Sequence, residues 1–319
     1  MTLPTYNTPY RMSTSSPGIH HVSAIAGNPQ ENVDFYTEAL GLGFVKQTVN
    51  VDEKFMYHLY YGDEHGSPGS LITFFPYQRG TEGRVGRPQP SATALTIPNG
   101  AVQYWYDRFE SRGVAVEEPV QRFGETVVQF RDHDGQPLEL VARETDRPPV
   151  TDSIPSEYAI RGLHSVTLLS SSVFHTAATL EVIGFSLIDQ EGVRVRYRAP
   201  GSFATIVDLC DVDAAYGREG IGTVHHVAFR AGEQSLSGWR DQLTKAGLMP
   251  TWIRDRRYFE SIYFRDSGGI LFEIATDEPG FTVDEDRSNL GTALQLPPQY
   301  EVDREMITQQ LPELTIPAQ

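Results

Sequence analysis

The chain has 319 residues, of which 39% are hydrophobic, 21% charged and 11% aromatic, a globular composition with length for about two domains. Its net charge of −16 argues against nucleic acid and anionic membrane surfaces as partners, and the densest basic cluster, Arg254 to Arg257, is broken by Asp255 in a predicted turn. Cys210 is the lone cysteine, the stretch from Met1 to Pro17 lacks the apolar core of a secretion signal, and no apolar run reaches about 18 residues, so a cytoplasmic protein without disulfides is expected.

A unit of one short strand, an amphipathic helix ending near Gly, and several further strands recurs along the chain. The first copy opens with Gly18-Ile19-His20-His21-Val22-Ser23-Ala24-Ile25. Asn28 caps its helix, with Pro29 at the first position and Glu31 at the capping-box spacing; the buried face runs from Val33 through Phe35, Tyr36 and Ala39 to Leu40, and Gly41 ends it. Strands follow at roughly 44–50, 55–62 and 70–76. The second copy starts near Ala92-Thr93-Ala94, runs a helix through Val102, Trp105 and Phe109, and closes with Leu138-Glu139-Leu140-Val141. The third opens at Gly162-Leu163-His164-Ser165-Val166 and leads through a helix around 173–183 to Gly184. A fourth opens at Val224-His225-His226-Val227, has a helix through Leu236, Trp239 and Leu243, and closes with Ile270-Leu271-Phe272-Glu273-Ile274-Ala275.

Stretches rich in Gly, Pro and charge separate these copies at 78–90, 146–158 and 211–221. The expected division is a tail over 1–16, a domain over 17–147, a linker over 148–159, a second domain over 160–281 and a tail over 282–319, with two modules in each domain. Pro297 and Pro298 limit helix in the last tail, which should wrap or fray. The fold class is α+β: four βαβββ modules pair into two cup-shaped half-barrel sheets, because each helix covers only one sheet face and the concave faces remain to hold a ligand.

Two His-His pairs, His20-His21 and His225-His226, open modules at the same place. Side chains alternate across a strand, so one member of each pair faces the cup, and the count to the following helix selects His21 and His226. Glu273 sits in an apolar run where an unpaired carboxylate would be costly to bury; its alternative is an ion pair with an Arg. Two imidazoles and one carboxylate make the facial triad of non-haem Fe(II) oxygenases, with Mn(II) the closest substitute and open positions for a substrate oxygen and O2. Folding Ser261 to Ile270 about Ser267 or Gly268 brings Tyr263 beside Glu273 as a hydrogen-bond donor or a packing residue.

These motifs, with Arg256 seven residues before Tyr263 and Glu273 ten after it, resemble the hydroquinone-opening, extradiol-type ring-cleaving dioxygenases of the vicinal oxygen chelate superfamily, which includes glyoxalases and bleomycin resistance proteins. Tyr57-His58-Leu59-Tyr60-Tyr61-Gly62-Asp63 also looks like that family, and the similarity spans essentially 18–281. The resemblance implies iron ligation by His21, His226 and Glu273, and pocket roles for His20, His225, Arg256 and Tyr263, with Ser23 where these enzymes often carry Thr. It implies a small aromatic substrate and O2 as partners and leaves homo-oligomer formation open. Alternation turns His20 and His225 from the metal, whereas the resemblance brings them near the pocket.

Glu139 matches Glu273 in position but its module supplies no His, so it reads as a relic or a polar residue of an unused cup. His58, His65, His133 and His175 read as structural or surface residues. His164 aligns with His20, not His21, so the first module should pair with the fourth, His164 should face away from the cup, and the second and third modules should form a cup without metal. The rivals are a glyoxalase or epimerase, for which the closing strand of the first module offers no second metal-facing Glu, and a metal-free protein that sequesters aromatic drugs.

Overall fold

The computed structural model describes residues 14–316. Most of the tail expected over 1–16 therefore lies outside the described residues, as do 317–319. The first module comprises β1 (Ile19–Ala26), α1 (Pro29–Asp34), β2 (Gly43–Asn50), β3 (Glu53–Gly62) and β4 (Leu71–Pro76). The second comprises β5 (Gln89–Pro98), α2 (Val102–Ser111), β6 (Val120–Arg122), β7 (Glu125–Arg131) and β8 (Pro137–Arg143). The third comprises β9 (Leu163–Leu169), α3 (Val173–Val182), β10 (Ser186–Glu191), β11 (Arg194–Arg198) and β12 (Ile206–Cys210). The fourth comprises β13 (Thr223–Arg230), α4 (Leu236–Lys245), β14 (Arg254–Asp255), β15 (Phe259–Arg265) and β16 (Leu271–Pro279).

These strands form two eight-stranded sheets. One runs β14-β15-β16-β13-β1-β4-β3-β2 and joins the first module to the fourth; the other runs β10-β11-β12-β9-β5-β8-β7-β6 and joins the second to the third. Each sheet thus draws one module from each half of the chain, and β1 lies antiparallel to β13. The helices cover the convex faces with large apolar side chains: Trp105 and Phe109 from α2, and Trp239 and Leu243 from α4, are fully buried. Each such side chain contributes roughly 2 kcal/mol. The indole N–H groups donate to the carbonyls of Tyr158 and Ala231, so neither of these two donors is left unpaired.

Three local differences from the sequence reading have physical causes. The first helix does not run evenly to Leu40: Asn28 caps α1 by accepting from the N–H of Gln30 and Glu31, but Phe35–Ala39 forms a π turn in which the Leu40 N–H donates to the Phe35 carbonyl. Within this turn Tyr36 is buried, with its hydroxyl donating to Asp132 Oδ2 at 2.9 Å. The turn predicted at Arg254 to Arg257 is half strand, since Arg254 and Asp255 pair with Ser261 and Glu260 before the chain reverses at Arg257, whose φ is 73°.

The last segment wraps and forms more helix than its prolines suggested. Pro298–Asp303 is a 3-10 turn that feeds a short helix, α5 (Arg304–Gln310), because proline is tolerated at a helix start. The wrap closes on β2 and β3. Lys46 is fully buried, and its Nζ donates to the Phe281 carbonyl at 3.1 Å, to Asp284 at 2.7 Å and to Glu285. Gly291 has φ +75°, and a Cβ there would fall 2.2 Å from the Phe44 carbonyl oxygen, so only glycine lets the wrap approach this closely.

Candidate metal centre

His21 on β1, His226 on β13 and Glu273 on β16 meet inside the first cup. Register explains why: Ser23 lies opposite His226, and Ala228, on the same face as His226, lies opposite Glu273. All three are buried, and one ligand atom from each lies within 4.8 Å of the others. This is the one His, Cys, Asp or Glu cluster of its kind among the described residues.

Hydrogen positions follow from the partners of His20. Its Nε2 is 3.1 Å from the Thr276 carbonyl, which only accepts, so Nε2 carries the proton. Burial and the adjacent His21 ring push the His20 pKa down to about 3, so the ring is neutral and Nδ1 is a lone pair. The His21 Nδ1 at 2.9 Å must then donate to it, which turns Nε2 toward the centre of the site. That nitrogen lies 3.2 Å from Glu273 Oε2, and His226 Nε2 lies 2.8 Å from the same oxygen. Neither contact has hydrogen-bond geometry, and His226 Nε2 and both Glu273 oxygens are buried without a hydrogen-bond partner. His226 is backed in the same way by His225, at 2.7 Å between the two Nδ1 atoms. Burial lowers the His226 pKa to about 4; for Glu273, burial works upward, but the charge and hydrogen bonding of a proton-bearing imidazole at His21 or His226 outweigh it and hold the carboxyl well below its usual range. Two imidazoles and a carboxylate converging on one point, with His226 Nε2 and both Glu273 oxygens taken by no hydrogen-bond partner, fit a divalent cation.

The cup encloses a cavity of about 610 Å³ lined by His21, His226, Ser23, His225, Tyr263 and Arg256 among others. His225 thus reaches the cavity, while His20 stands behind His21 and is not part of the wall. Tyr263 lies opposite Glu273 across β15 and β16, and its hydroxyl accepts from Arg256 Nε at 3.1 Å. Burial and the charge of Glu273 raise the Tyr263 pKa, so the phenol keeps its proton. Arg256 in turn donates to Asp52 Oδ2 at 2.8 Å, from the turn between β2 and β3. Sequence reasoning missed Asp52, because no local pattern ties it to a guanidinium 204 positions away. It also missed Thr73 and Tyr60. His58, read as structural or surface, lines the cavity between the rings of Tyr60 and Phe75 at 4.1 and 4.3 Å; the shared segment around it was the available signal.

The second cup repeats this layout with other side chains. Glu139, Gln129 and Arg122 stand where Glu273, Tyr263 and Arg256 do, at the same sequence spacings of ten and seven. Ala92 and Ser165 replace the ligand-position histidines. Arg122 Nη1 reaches Glu139 Oε2 at 2.8 Å and Gln129 Nε2 reaches Oε1 at 2.9 Å, so both oxygens are satisfied. His164 corrects one expectation. Its ring bonds to Ser165 Oγ at 2.9 Å and is drawn to Glu125 Oε1 at 3.3 Å, so it borders a second cavity with Glu125 and Arg196 and does not face away from it.

Two curled sheets built from four βαβββ modules define a vicinal oxygen chelate protein, and glyoxalase I from Zea mays shares this fold at a TM-score of 0.62 and 14% identity, over 82% of this chain and 92% of that one. A crystal structure of a candidate dioxygenase from Bacillus subtilis matches far more closely, with a TM-score of 0.92 and 42% identity over 96% of this chain and all of that one. The model of the Glyoxalase/Bleomycin resistance protein/Dioxygenase superfamily matches residues 18–140. MhqO of Bacillus subtilis, named as a candidate ring-cleaving dioxygenase, is 43% identical over 304 residues, covering 94% of this chain and 97% of its own. The chlorohydroquinone/hydroquinone 1,2-dioxygenase of Sphingobium indicum is 35% identical over 303 residues, covering 89% and 92%. The chain belongs to the glyoxalase, bleomycin resistance protein and dioxygenase superfamily, and within it groups with the proteins named as ring-cleaving dioxygenases. No described helix is long and apolar enough to cross a membrane.

Proposed function

We propose that this chain is an Fe(II)-dependent, extradiol-type ring-cleaving dioxygenase that inserts both atoms of O2 into a hydroquinone or catechol-type ring, with His21, His226 and Glu273 as metal ligands. The observation that carries this reading is the contrast between Glu139, whose two oxygens are taken by protein donors, and Glu273, whose two oxygens are buried with none. An isolated buried carboxylate costs several kcal/mol, which a cation offsets. Bound there, Fe(II) supplies electron transfer between an electron-rich ring and O2 together with a positive charge that lowers the pKa of a phenolic hydroxyl; Mn(II) is the nearest substitute in ligand preference.

The remaining groups have roles in handling the ring and its protons. Tyr263 spends its oxygen lone pair on Arg256, so its hydrogen is available to a substrate oxygen in the cavity. Arg256, fixed by Asp52, steadies negative charge that builds on the ring oxygens. His225 accepts at Nδ1 from His226, so its Nε2 carries a hydrogen and can donate to a substrate or product oxygen in the cavity. Phe75 and Phe259 give the ring apolar walls. Thr73, which lies opposite Ser23 as Glu273 lies opposite Ala228, occupies the position of a symmetric second carboxylate; a fourth protein ligand of the kind a glyoxalase needs is therefore missing. Metal analysis of anaerobically purified protein, followed by oxygen uptake with a panel of hydroquinones and catechols, tests the proposal. Stoichiometric iron or manganese and uptake matched to ring opening are expected; no uptake by the iron-loaded protein with any member of the panel would overturn it.

A further inference from the structure

Four side chains of the first cup, Tyr60, His58, Thr73 and Ser23, form a continuous hydrogen-bonded chain. Tyr60 Oη is 2.8 Å from His58 Nδ1, His58 Nε2 is 2.9 Å from Thr73 Oγ1, and Thr73 Oγ1 is 2.8 Å from Ser23 Oγ. Tyr60 is fully buried and its ring is held against Tyr258 and Phe281. Among the described residues His58 Nδ1 is the only hydrogen-bond partner of its hydroxyl. With the phenol proton directed at His58, every later proton in the chain is fixed in turn. Accepting at Nδ1 makes His58 the Nε2–H tautomer; Nε2–H donates to Thr73, Thr73 donates to Ser23, and Ser23 is left with its own O–H unspent.

Ser23 follows His21 by two residues on the same strand face, and both line the cavity. We infer that Tyr60, His58 and Thr73 are positioning residues that polarise Ser23, so that its hydroxyl is held as a donor toward a substrate oxygen beside the metal centre. Without this polarity Ser23 would donate to Thr73 and offer the cavity only lone pairs, which repel a phenolate. The chain thus selects substrates that bring an anionic or strongly accepting oxygen to that point. This assignment of substrate preference rests on the proposed dioxygenase reading; the direction of the chain does not.

The two are tested separately. Nitrogen NMR of the metal-free protein with labelled histidine reads the tautomer without any substrate: His58 should be the Nε2–H form, and Tyr60→Phe should release it to the Nδ1–H form. A wild-type His58 in the Nδ1–H form would overturn the inference whatever the enzyme does. The iron-loaded protein is then titrated anaerobically with hydroquinone. Ser23→Ala, Thr73→Val and Tyr60→Phe should each weaken binding by roughly 10- to 100-fold, the scale of one hydrogen bond to a charged group, and Ser23→Thr should bind like wild type. The Ser23→Ala/Thr73→Val double variant should be no weaker than Ser23→Ala alone, since both changes remove the same donor; multiplying effects would show that Thr73 acts by some other route and overturn the inference. Failure of the wild-type protein to bind hydroquinone at all, with the Nε2–H tautomer intact, would instead strike the dioxygenase reading.

Discussion

The two cups are built on one plan and filled in opposite ways. In the second, the positions of Ser23, Thr73, Tyr60 and His58 hold Thr167, Asp208, Arg196 and Arg194, with Thr167 and Asp208 opposite each other as Ser23 and Thr73 are. Arg196 pairs with Asp208 at 2.8 Å and with Glu125 at 2.9 Å, and Arg194 donates to Thr167 at 2.8 Å. With Arg122 on Glu139, the second cup supplies its own cations and its lumen is spent on ion pairs. The first cup has a carboxylate at the same point with no cation hydrogen-bonded to it. A cup of this fold is thus available for chemistry only where its internal charges do not already neutralise one another.

The largest effect should come from removing the carboxylates. Glu273→Gln should leave a folded protein with less than about a tenth of the wild-type metal and no measurable ring opening, because the charge in the triad is lost. Glu139→Gln should keep its metal but cost about 1 to 2 kcal/mol of stability in urea, since Arg122 is then a half-buried charge without its partner. Equal metal content in the two variants would erase the distinction between the cups.

The histidines sharpen the same contrast. His21→Ala should abolish iron binding by metal analysis while His164→Ala spares it, and the reverse result would assign the site to the second cup. Next in size, Tyr263→Phe should keep iron and slow turnover by roughly 10²-fold, the usual scale for a lost proton-transfer group; an unchanged rate would reduce Tyr263 to cross-strand packing.

Acid should separate the cups more gently. In the metal-free protein His226 is held at about 4 by burial, below the unfolded value near 6.5. The unfolded chain therefore takes up the proton first, and stability falls as pH drops from about 6.5 toward 4. Glu125 is pushed upward by burial but more strongly downward by His164 and Arg196, to about 2. Its contribution is complete above the unfolded carboxylate value near 4.3 and is lost as pH falls through 2. Thermal melts should show the higher window of the metal-free protein shrinking when metal is restored and the lower one shrinking in Glu125→Gln. Melts that stay flat between pH 6.5 and 5 would contradict the first assignment.

Much of this was legible in the sequence because it is written at short range. The His-His pairs open strands, alternation selects one face, and the spacing among Arg256, Tyr263 and Glu273 describes a single hairpin with its approach. The slip of His164 against His21 even carried the pairing of the first module with the fourth. What stayed hidden depends on register between strands that are not chain neighbours. Thr73 is an ordinary β-branched residue until β4 sets it beside Ser23, and Asp52 is an ordinary turn acid until Arg256 arrives from the far module. The π turn at Phe35–Ala39 was hidden for a related reason, since its apolar spacing reads as an α-helix. The polarity of the His58 chain is a matter of protons, which no residue pattern records.

The order of the sheets also sets a timetable for synthesis. The strands of the second sheet are contiguous in the chain, from Gln89 to Cys210, whereas those of the first come from 19–76 and 223–279. As the protein leaves the ribosome, β1 presents His21 early, yet its partner strand β13 and the carboxylate on β16 emerge only after the whole second sheet has passed. Until then the exposed edge of β1 is a nascent template without its complement. The strands of the ion-paired cup are therefore complete first, and the three candidate ligands can meet only once β16 has followed.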